Sequence, residues 1–349
     1  MEIHPKFKLN GKAYSSSQLK EVAHNLVKKG EAFEVFIGDF IIEWLSNSET
    51  VSVSTSGSTG KPKQIQLKKP QMVNSALATG SFFNLKAGNS ALLCLPCNFI
   101  AGKMMLVRAM VLGLEIDYVE PDSSPLQKVF KAYNFAAMIP LQAQNSIEKL
   151  NLIDKLIIGG APIGHALKSK LQNIKTSIYE TYGMTETITH IAVKKVDTSY
   201  FRTLPGVTIE TDKRDCLVIN APKINNEKVV TNDLVKLVSN NEFQWLGRYD
   251  SIINSGGVKL IPEQIEQKFA KIIDSRFFVA GIPDDTLGEK LVLVVESNID
   301  KPILLMQIDK ITNLSKYEKP KAVLTIERFV ESANGKVLRS KTVSAVLKD

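Results

Sequence analysis

Val51 to Leu67 reads VSVSTSGSTGKPKQIQL, two alternating arms on either side of a small, hydroxyl-rich stretch. Val51 and Val53 alternate with serines, and Ile65 and Leu67 alternate with glutamines, so a period of two on either side predicts two half-buried strands. Between them lie Thr55-Ser56-Gly57-Ser58-Thr59-Gly60-Lys61-Pro62-Lys63, with four hydroxyls, two glycines that let backbone amides close on a ligand, and two ammonium groups. That inventory suits a polyphosphate. It is not a Walker A loop: Thr55 stands where the leading glycine belongs, Pro62 follows Gly60-Lys61, and an alternating stretch follows instead of a helix N-terminus that would cradle phosphate. Side-chain hydroxyls and loop amides would do the holding. The competing reading is a solvated Ser/Gly linker.

A chain of 349 residues favours two domains, each able to bury a core, and 44% apolar with 23% charged residues is ordinary for a globular protein. The net charge of +8 fits an anionic ligand, nucleic acid or an acidic membrane surface. Lysines and arginines are scattered without interleaved aromatics, which argues against nucleic acid as a partner. The N-terminus has no signal-peptide pattern and no apolar run is long enough to span a bilayer, so a cytoplasmic protein without membrane insertion is expected. Cys94 and Cys97 have the spacing of a redox pair but close the apolar run Ala91–Leu93 instead of opening a helix. With Cys216 they are three thiols, too few for a four-cysteine zinc site, and they read as core residues.

Along the chain, helices are expected at Ser17–Lys28, Pro70–Phe83 and Met104–Leu112, the last ending near Gly113. Strands are expected at Phe33–Ile37, Ala91–Leu95, Glu115–Val119, Ala136–Ile139, Lys155–Ile158 and Ser177–Tyr179, with a further apolar run at Ile41–Leu45. This alternation predicts an α/β domain with a largely buried sheet. From Cys216 the texture turns β-rich, with strands at Cys216–Ile219, Lys228–Thr231 and Leu234–Val238 and a hairpin turn at Asn240-Asn241. Beyond Asp250 comes a small α+β unit: helices at Pro262–Ile273 and Ile303–Thr312, strands at Phe277–Gly281, Leu291–Val295 and Ala322–Ile326, and a C-terminal helix. The expected domains are therefore 1–249 and 250–349.

Two more stretches carry chemistry. Tyr179-Glu180-Thr181-Tyr182-Gly183-Met184-Thr185-Glu186-Thr187 sets an aromatic, hydroxyls and a carboxylate at a strand's carboxyl end, where open α/β sheets bind ligands. Glu186 suits Mg2+, which commonly takes one or two carboxylates plus substrate phosphates. Asn334-Gly335-Lys336 presents a lysine just after a turn signal. With the hydroxyl loop, these stretches resemble, in order, the motifs of the adenylate-forming superfamily of acyl-CoA synthetases, luciferases and peptide-synthetase adenylation domains. The resemblance runs from Val51 to the C-terminus. Gly159-Gly160-Ala161 looks like the family's nucleotide and acyl-site turn, and Thr231-Asn232-Asp233 like its ribose motif with Asn232 in place of glycine. Gly247-Arg248-Tyr249-Asp250 looks like its hinge motif, and Ser255-Gly256-Gly257 like the segment beyond it.

The resemblance implies the adenylate-forming fold, a large α/β domain and a small α+β lid, and two steps using ATP, Mg2+ and coenzyme A. A carboxylate attacks the α-phosphate and expels pyrophosphate; a thiol then attacks the acyl-adenylate. Lys336 would bridge carboxylate and α-phosphate, Thr185 would bond the α-phosphate, and Glu186 would hold the metal. Thr55, Ser56, Gly57, Ser58, Thr59, Gly60 and Lys63 would take the pyrophosphate. Gly160 and Ala161 would line the nucleotide site, Tyr182 and Gly183 the adenine, and Asp233 and Arg248 the ribose. Asp250 would be the hinge, and Gly256 and Gly257 would border the path of the pantetheine arm.

Only fifty residues precede Val51, fewer than many family members carry, so a truncated N-terminal region and a more open or partner-covered acyl pocket are expected. A homo-oligomer stays open. Where many relatives have a histidine, Phe99 stands. Ile100–Met105, Met184–Thr187 with His190, and Ser255–Gly257 resemble most the ligases that join o-succinylbenzoate to coenzyme A in menaquinone synthesis. That acid keeps a second carboxylate after activation, and Lys103, Arg108 and His190 are the candidates to meet it, beside Phe99. Five residues apart on a helix, Lys103 and Arg108 diverge by roughly 140°, so one of them faces the acid. Another acyl- or aryl-CoA ligase, an enzyme loading a carrier protein, and a non-catalytic AMP-binding relative are the alternatives.

Overall fold

The computed structural model describes residues 2–54, 64–297, 299–331 and 337–347; the loop Thr55–Lys63 and Lys336 lie outside the described residues. Strands β1 (Lys8–Leu9) and β2 (Lys12–Ala13) precede helix α1 (Ser16–Lys29), which opens on a reciprocal cap: the Ser15 hydroxyl accepts from the Gln18 amide and the Gln18 side chain from the Ser15 amide. The expected strand Phe33–Ile37 and the apolar run after it form one helix instead, α2 (Ala32–Leu45). Its buried residues Ile37, Phe40, Ile41 and Trp44 follow a helical stripe, a spacing hidden in sequence by apolar residues on nearly every side.

Strands β3 (Thr50–Ser54) and β4 (Gln64–Lys68) pair antiparallel, from Thr50 against Lys68 to Ser54 against Gln64, as their alternation predicts. Helix α3 (Lys69–Phe83) follows, then β5 (Ser90–Leu93), α4 (Ile100–Leu112), β6 (Glu115–Tyr118), β7 (Tyr133–Met138), α5 (Pro140–Asn145), β8 (Ile153–Ile158), α6 (His165–Leu171), β9 (Ser177–Gly183), β10 (His190–Lys195) and β11 (Phe201–Thr203). Strands β6, β5, β7, β8 and β9 lie side by side in that order, all parallel, with β1 parallel to β6; β10 and β11 extend the β9 edge antiparallel. Leu92, Ala136, Leu156, Ile158 and Ile178 form a core on these strands, the near-continuous apolar runs that buried parallel strands require. The α/β expectation is borne out, although β9 runs on to Gly183, so Tyr182 belongs to the strand and not to the loop after it.

The β-rich segment holds β12 (Thr208–Thr211), β13 (Cys216–Asn220), β14 (Val229–Leu237) and β15 (Glu242–Arg248). The two strands expected at Lys228–Thr231 and Leu234–Val238 are the single β14. At the turn before β15 the Val238 amide donates to the Glu242 carbonyl, which closes the expected hairpin. Then come β16 (Ile253–Ser255), β17 (Val258–Leu260), α7 (Pro262–Phe269), β18 (Phe277–Asp284), β19 (Gly288–Glu296), α8 (Lys301–Asp309), β20 (Ala322–Ile326) and α9 (Arg339–Val346). Helix α7 stops short of the expected Ile273. Strands β17, β16, β19 and β18 form a sheet, with β20 parallel to β19, over a core that includes Ile265, Phe269, Leu293 and Leu304.

The chain divides into two compact units. The first comprises Met1–Ile209, Ile219–Val229 and Val238–Phe243; the second comprises Glu210–Val218, Val230–Leu237 and Gln244–Asp349. In the first, α4 is buried from Gly102 to Met110, and at its start a Cβ on Gly102 would sit 2.4 Å from the Pro96 carbonyl oxygen. That neighbour is backbone and gives way only if the helix shifts. Gly102→Ala should therefore lower the urea midpoint by the equivalent of about 1–3 kcal/mol with no change in the denaturant slope; an unshifted midpoint would show that the helix start is loosely held.

Candidate active site

Parallel pairing brings the carboxyl ends of β5, β7, β8 and β9 to one edge of the first unit's sheet, with Met138 beside Ile158 and Ile158 beside Glu180. The direction of winding reverses at β5, which has β6 on one side and β7 on the other, and such a switch point opens a crevice at that edge. Phe99 follows β5, Gly160 and Ala161 follow β8, and Tyr182 to Glu186 end β9 and continue past it. The Gly159 amide donates to the Met138 carbonyl, tying the turn after β8 to the end of β7, and the Thr181 hydroxyl donates to the Ile158 carbonyl, tying β9 to the end of β8. Phe99, Ala161 and Glu186 are exposed.

The Tyr182 ring packs 5.2 Å from Phe243 and 5.8 Å from Phe201, which fixes the aromatic at the strand end. Thr185, Glu186 and Thr187 form a single 3-10 turn, held by the Thr187 hydroxyl donating to the Met184 carbonyl and accepting from the Met184 amide. Ile188 then takes φ 65° and ψ −59°, with the Thr189 amide bonded to the Thr187 carbonyl at 2.7 Å. This is a positive-φ γ-turn on a β-branched residue, a strained conformation of the kind that surrounding structure must impose. It turns the chain from β9 back into β10 two residues after Glu186. The Glu186 carboxylate forms no ion pair with any described residue, and its backbone carbonyl accepts from Asn225. An exposed, unpaired carboxylate fits a magnesium ion shared with phosphate oxygens. No cluster of three or more metal-ligating side chains occurs among the described residues.

Arg108 and His190, 82 positions apart, meet in the interior of the first unit. The Arg108 Nη2 lies 3.4 Å from His190 Nδ1, and Nε lies 3.4 Å from the Thr79 hydroxyl. Guanidinium has no acceptor, so Nδ1 must accept and the imidazole proton sits on Nε2. That Nε2 has no hydrogen-bond partner among the described residues. Burial pushes Arg108 down to about 9, and burial followed by the Arg108 charge holds His190 well below its ordinary value. The result is a buried cation ringed by neutral groups, next to a neutral histidine with a spare donor. Lys103 turns elsewhere: its Nζ donates to the Ser52 carbonyl at 2.9 Å and lies 3.5 Å from Glu43 Oε2.

In the second unit, Asp233 on β14 is buried, and the Trp245 indole donates to its Oδ1 at 3.1 Å, while Arg248 Nη1 stands 3.9 Å from the same oxygen. Arg248 also grips Asp250 with two hydrogen bonds of 3.0 and 2.8 Å. Trp245 does not stand out in the sequence, where it reads as one residue of a strand; its place beside Phe243 in an alternating run is the only signal. Gly256 and Gly257 form the two-residue turn between β16 and β17, both with positive φ. A turn with left-handed values at both positions favours glycine on its own account.

A model of the AMP-binding enzymes matches residues 53–214. A crystal structure of an acyl-CoA synthetase (AMP-forming)/AMP-acid ligase II-like protein from Dyadobacter fermentans is 35% identical, covers 94% of this chain and 98% of its own, and superposes with a TM-score of 0.63. The chain belongs to this family of AMP-binding, adenylate-forming enzymes, the class of the acid–thiol ligases. It is 23% identical to a 2-succinylbenzoate–CoA ligase from Lactococcus lactis over 90% of this chain and 80% of that one. The o-succinylbenzoate coenzyme A synthetase of Bacillus subtilis, solved with ATP and magnesium, shares the fold with a TM-score of 0.72 at 19% identity, over 84% of this chain and 69% of its own. No helix among the described residues is long and apolar enough to cross a membrane.

The buried histidine makes the fold sensitive to acid. Its folded value lies below the unfolded one near 6.5, so the unfolded chain binds the extra proton first and stability falls as pH drops below about 6.5, by at most ~1.4 kcal/mol per pH unit. The melting temperature should fall more steeply between pH 7 and pH 5 in the wild type than in His190→Asn. Parallel curves would mean that His190 does not titrate against the fold.

Proposed function

We propose that the chain is an ATP-dependent acid–CoA ligase acting through an acyl-adenylate, with o-succinylbenzoate as its acid. The class follows from family membership together with the turns gathered at the carboxyl edge of β5, β7, β8 and β9. The observation that carries the choice of acid is Arg108, a fully buried guanidinium with no carboxylate partner among the described residues. Leaving such a charge uncompensated is costly, and a substrate carboxylate would supply the missing partner. His190 Nε2 would add a second donor.

In the first half-reaction a carboxylate oxygen forms a bond to the α-phosphorus while the bond to the pyrophosphate oxygen breaks. Two anions meet, so the site must neutralise charge and hold the attack in line. Lys336 would neutralise the carboxylate and α-phosphate, Thr185 would bond the α-phosphate, and Thr55–Lys63 would receive the departing pyrophosphate. Glu186 would hold Mg2+, which supplies further neutralisation of the phosphates when bound. Tyr182 would face adenine beside Gly160, Ala161 and Gly183, and Asp233, held by Trp245, would bind the ribose with Arg248. In the second half-reaction the coenzyme A sulfur bonds to the acyl carbon and AMP leaves, with Gly256 and Gly257 beside the arm. Asp250 would be the hinge for residues 250–349 between the two steps.

Pyrophosphate release across a panel of carboxylic acids, with and without coenzyme A, tests the reading; the aromatic diacid should release most, and silence with every acid would end it. Lys336→Ala should abolish release yet spare thioester formation from synthetic acyl-adenylate. Equal loss of both steps would remove Lys336 from the chemistry. Arg108→Met should raise the KM of the diacid by about 100-fold, as expected for losing a charge-assisted pair, while an aromatic monoacid shifts by less than about threefold. Because the substitution removes an uncompensated buried charge, the melting temperature should hold or rise. A variant that loses both acids equally would contradict the assignment.

A further inference from the structure

We propose that Lys103 and Glu43 are positioning residues that hold the strand entering the hydroxyl-rich loop, acting through the backbone of Ser52. Strand β3 pairs only with β4 among the described strands. In an antiparallel pair the N–H and C=O of one residue point the same way, so alternate residues turn both groups away from the partner strand. At Ser52, opposite Gln66, both groups meet side chains: the amide donates to Glu43 Oε1 at 2.8 Å, and the carbonyl accepts from Lys103 Nζ at 2.9 Å. The ion pair joins them, with Nζ 3.5 Å from the other Glu43 oxygen. Two side chains thus complete the open edge of β3 as a third strand would.

The arrangement is built into the interior. Lys103 is 8% exposed and its ammonium lies 5.4 Å from the centre of the Phe40 ring. A second buried lysine secures the other arm of the hairpin. Lys69, which follows β4, donates from Nζ to the Ser46 carbonyl at 2.9 Å, and its amide donates to the Glu49 carbonyl. Glu43 and Ser46 sit at the C-terminal end of α2, so both strands flanking residues 55–63 are tied to that helix end. Lys103 already has a carboxylate and a carbonyl; Arg108 has neither among the described residues. The geometry therefore gives Lys103 to the nucleotide side of the reaction and leaves the acid to Arg108.

This inference rests on the reading that residues 55–63 take the pyrophosphate. Calorimetric titration of the full chain with ATP tests it in Lys103→Met, Lys103→Arg and Glu43→Ala, with the acid KM measured alongside. Lys103→Met should weaken ATP binding about tenfold, the worth of one charge-assisted hydrogen bond, and leave the acid KM within about twofold. Lys103→Arg, which can still donate, should recover most of the affinity, an outcome that loss of packing alone would not give. A raised acid KM with unchanged ATP affinity, or no change in either, overturns the proposal. If Lys103→Met does not fold, the same two quantities are read in Glu43→Ala, where weaker ATP binding supports the clamp and unchanged ATP binding refutes it. Amide exchange at Ser52 separates this inference from the reading beneath it. Should the wild type bind no ATP, the functional reading fails by itself. Faster Ser52 exchange in Glu43→Ala would still support the clamp, and unchanged exchange would refute it.

Discussion

Parallel strands have their carboxyl ends on one side, and much of this protein follows from that constraint. Because β5, β7, β8 and β9 are neighbours and co-directional, turns from Phe99 to Glu186 arrive at a single edge of the first unit's sheet. The bond from Gly159 to Met138 fixes the turn after β8 to a strand end, and the bond from Thr181 to Ile158 ties the last residues of β9 to the end of β8. A site assembled this way can carry strain at one point, as Ile188 does, because its flanking strands determine where the chain must go.

Three buried cations in the first unit show how partners decide roles. Lys69 meets the carbonyl end of α2, Lys103 meets a carboxylate and a strand carbonyl, and Arg108 meets only a hydroxyl, a thioether and an imidazole among the described residues. The first two are satisfied by groups of the protein itself. The third carries a cost that a bound anion would offset. Cys94 and Cys97, by contrast, are free, buried cysteines whose burial pushes them up to about 12, which holds both as thiols at neutral pH.

Much of the fold is legible in the sequence because the relevant signals are local. Alternation around residues 55–63 specifies β3 and β4, apolar runs bounded by turns specify β5 to β9, and the Asn240-Asn241 turn specifies the β14–β15 hairpin. Helix α2 reads as a strand because apolar residues on almost every side blur the difference between a period of two and a period of 3.6. Strand β14 reads as two because Asn232-Asp233, polar residues in its middle, look in isolation like a break.

The sequence by itself determined the order of the motifs, the hairpin around the hydroxyl-rich loop and the divergence of Lys103 from Arg108 around α4. Only the tertiary structure decided which of those two cations is already neutralised, because their partners Ser52 and His190 lie 51 and 82 positions away. It likewise decided that Trp245 holds Asp233 and that Glu43 completes a strand edge. Local pattern fixes the direction in which a side chain leaves its element. Whether that side chain meets a counter-charge depends on packing between elements distant in the chain, and no periodicity encodes it.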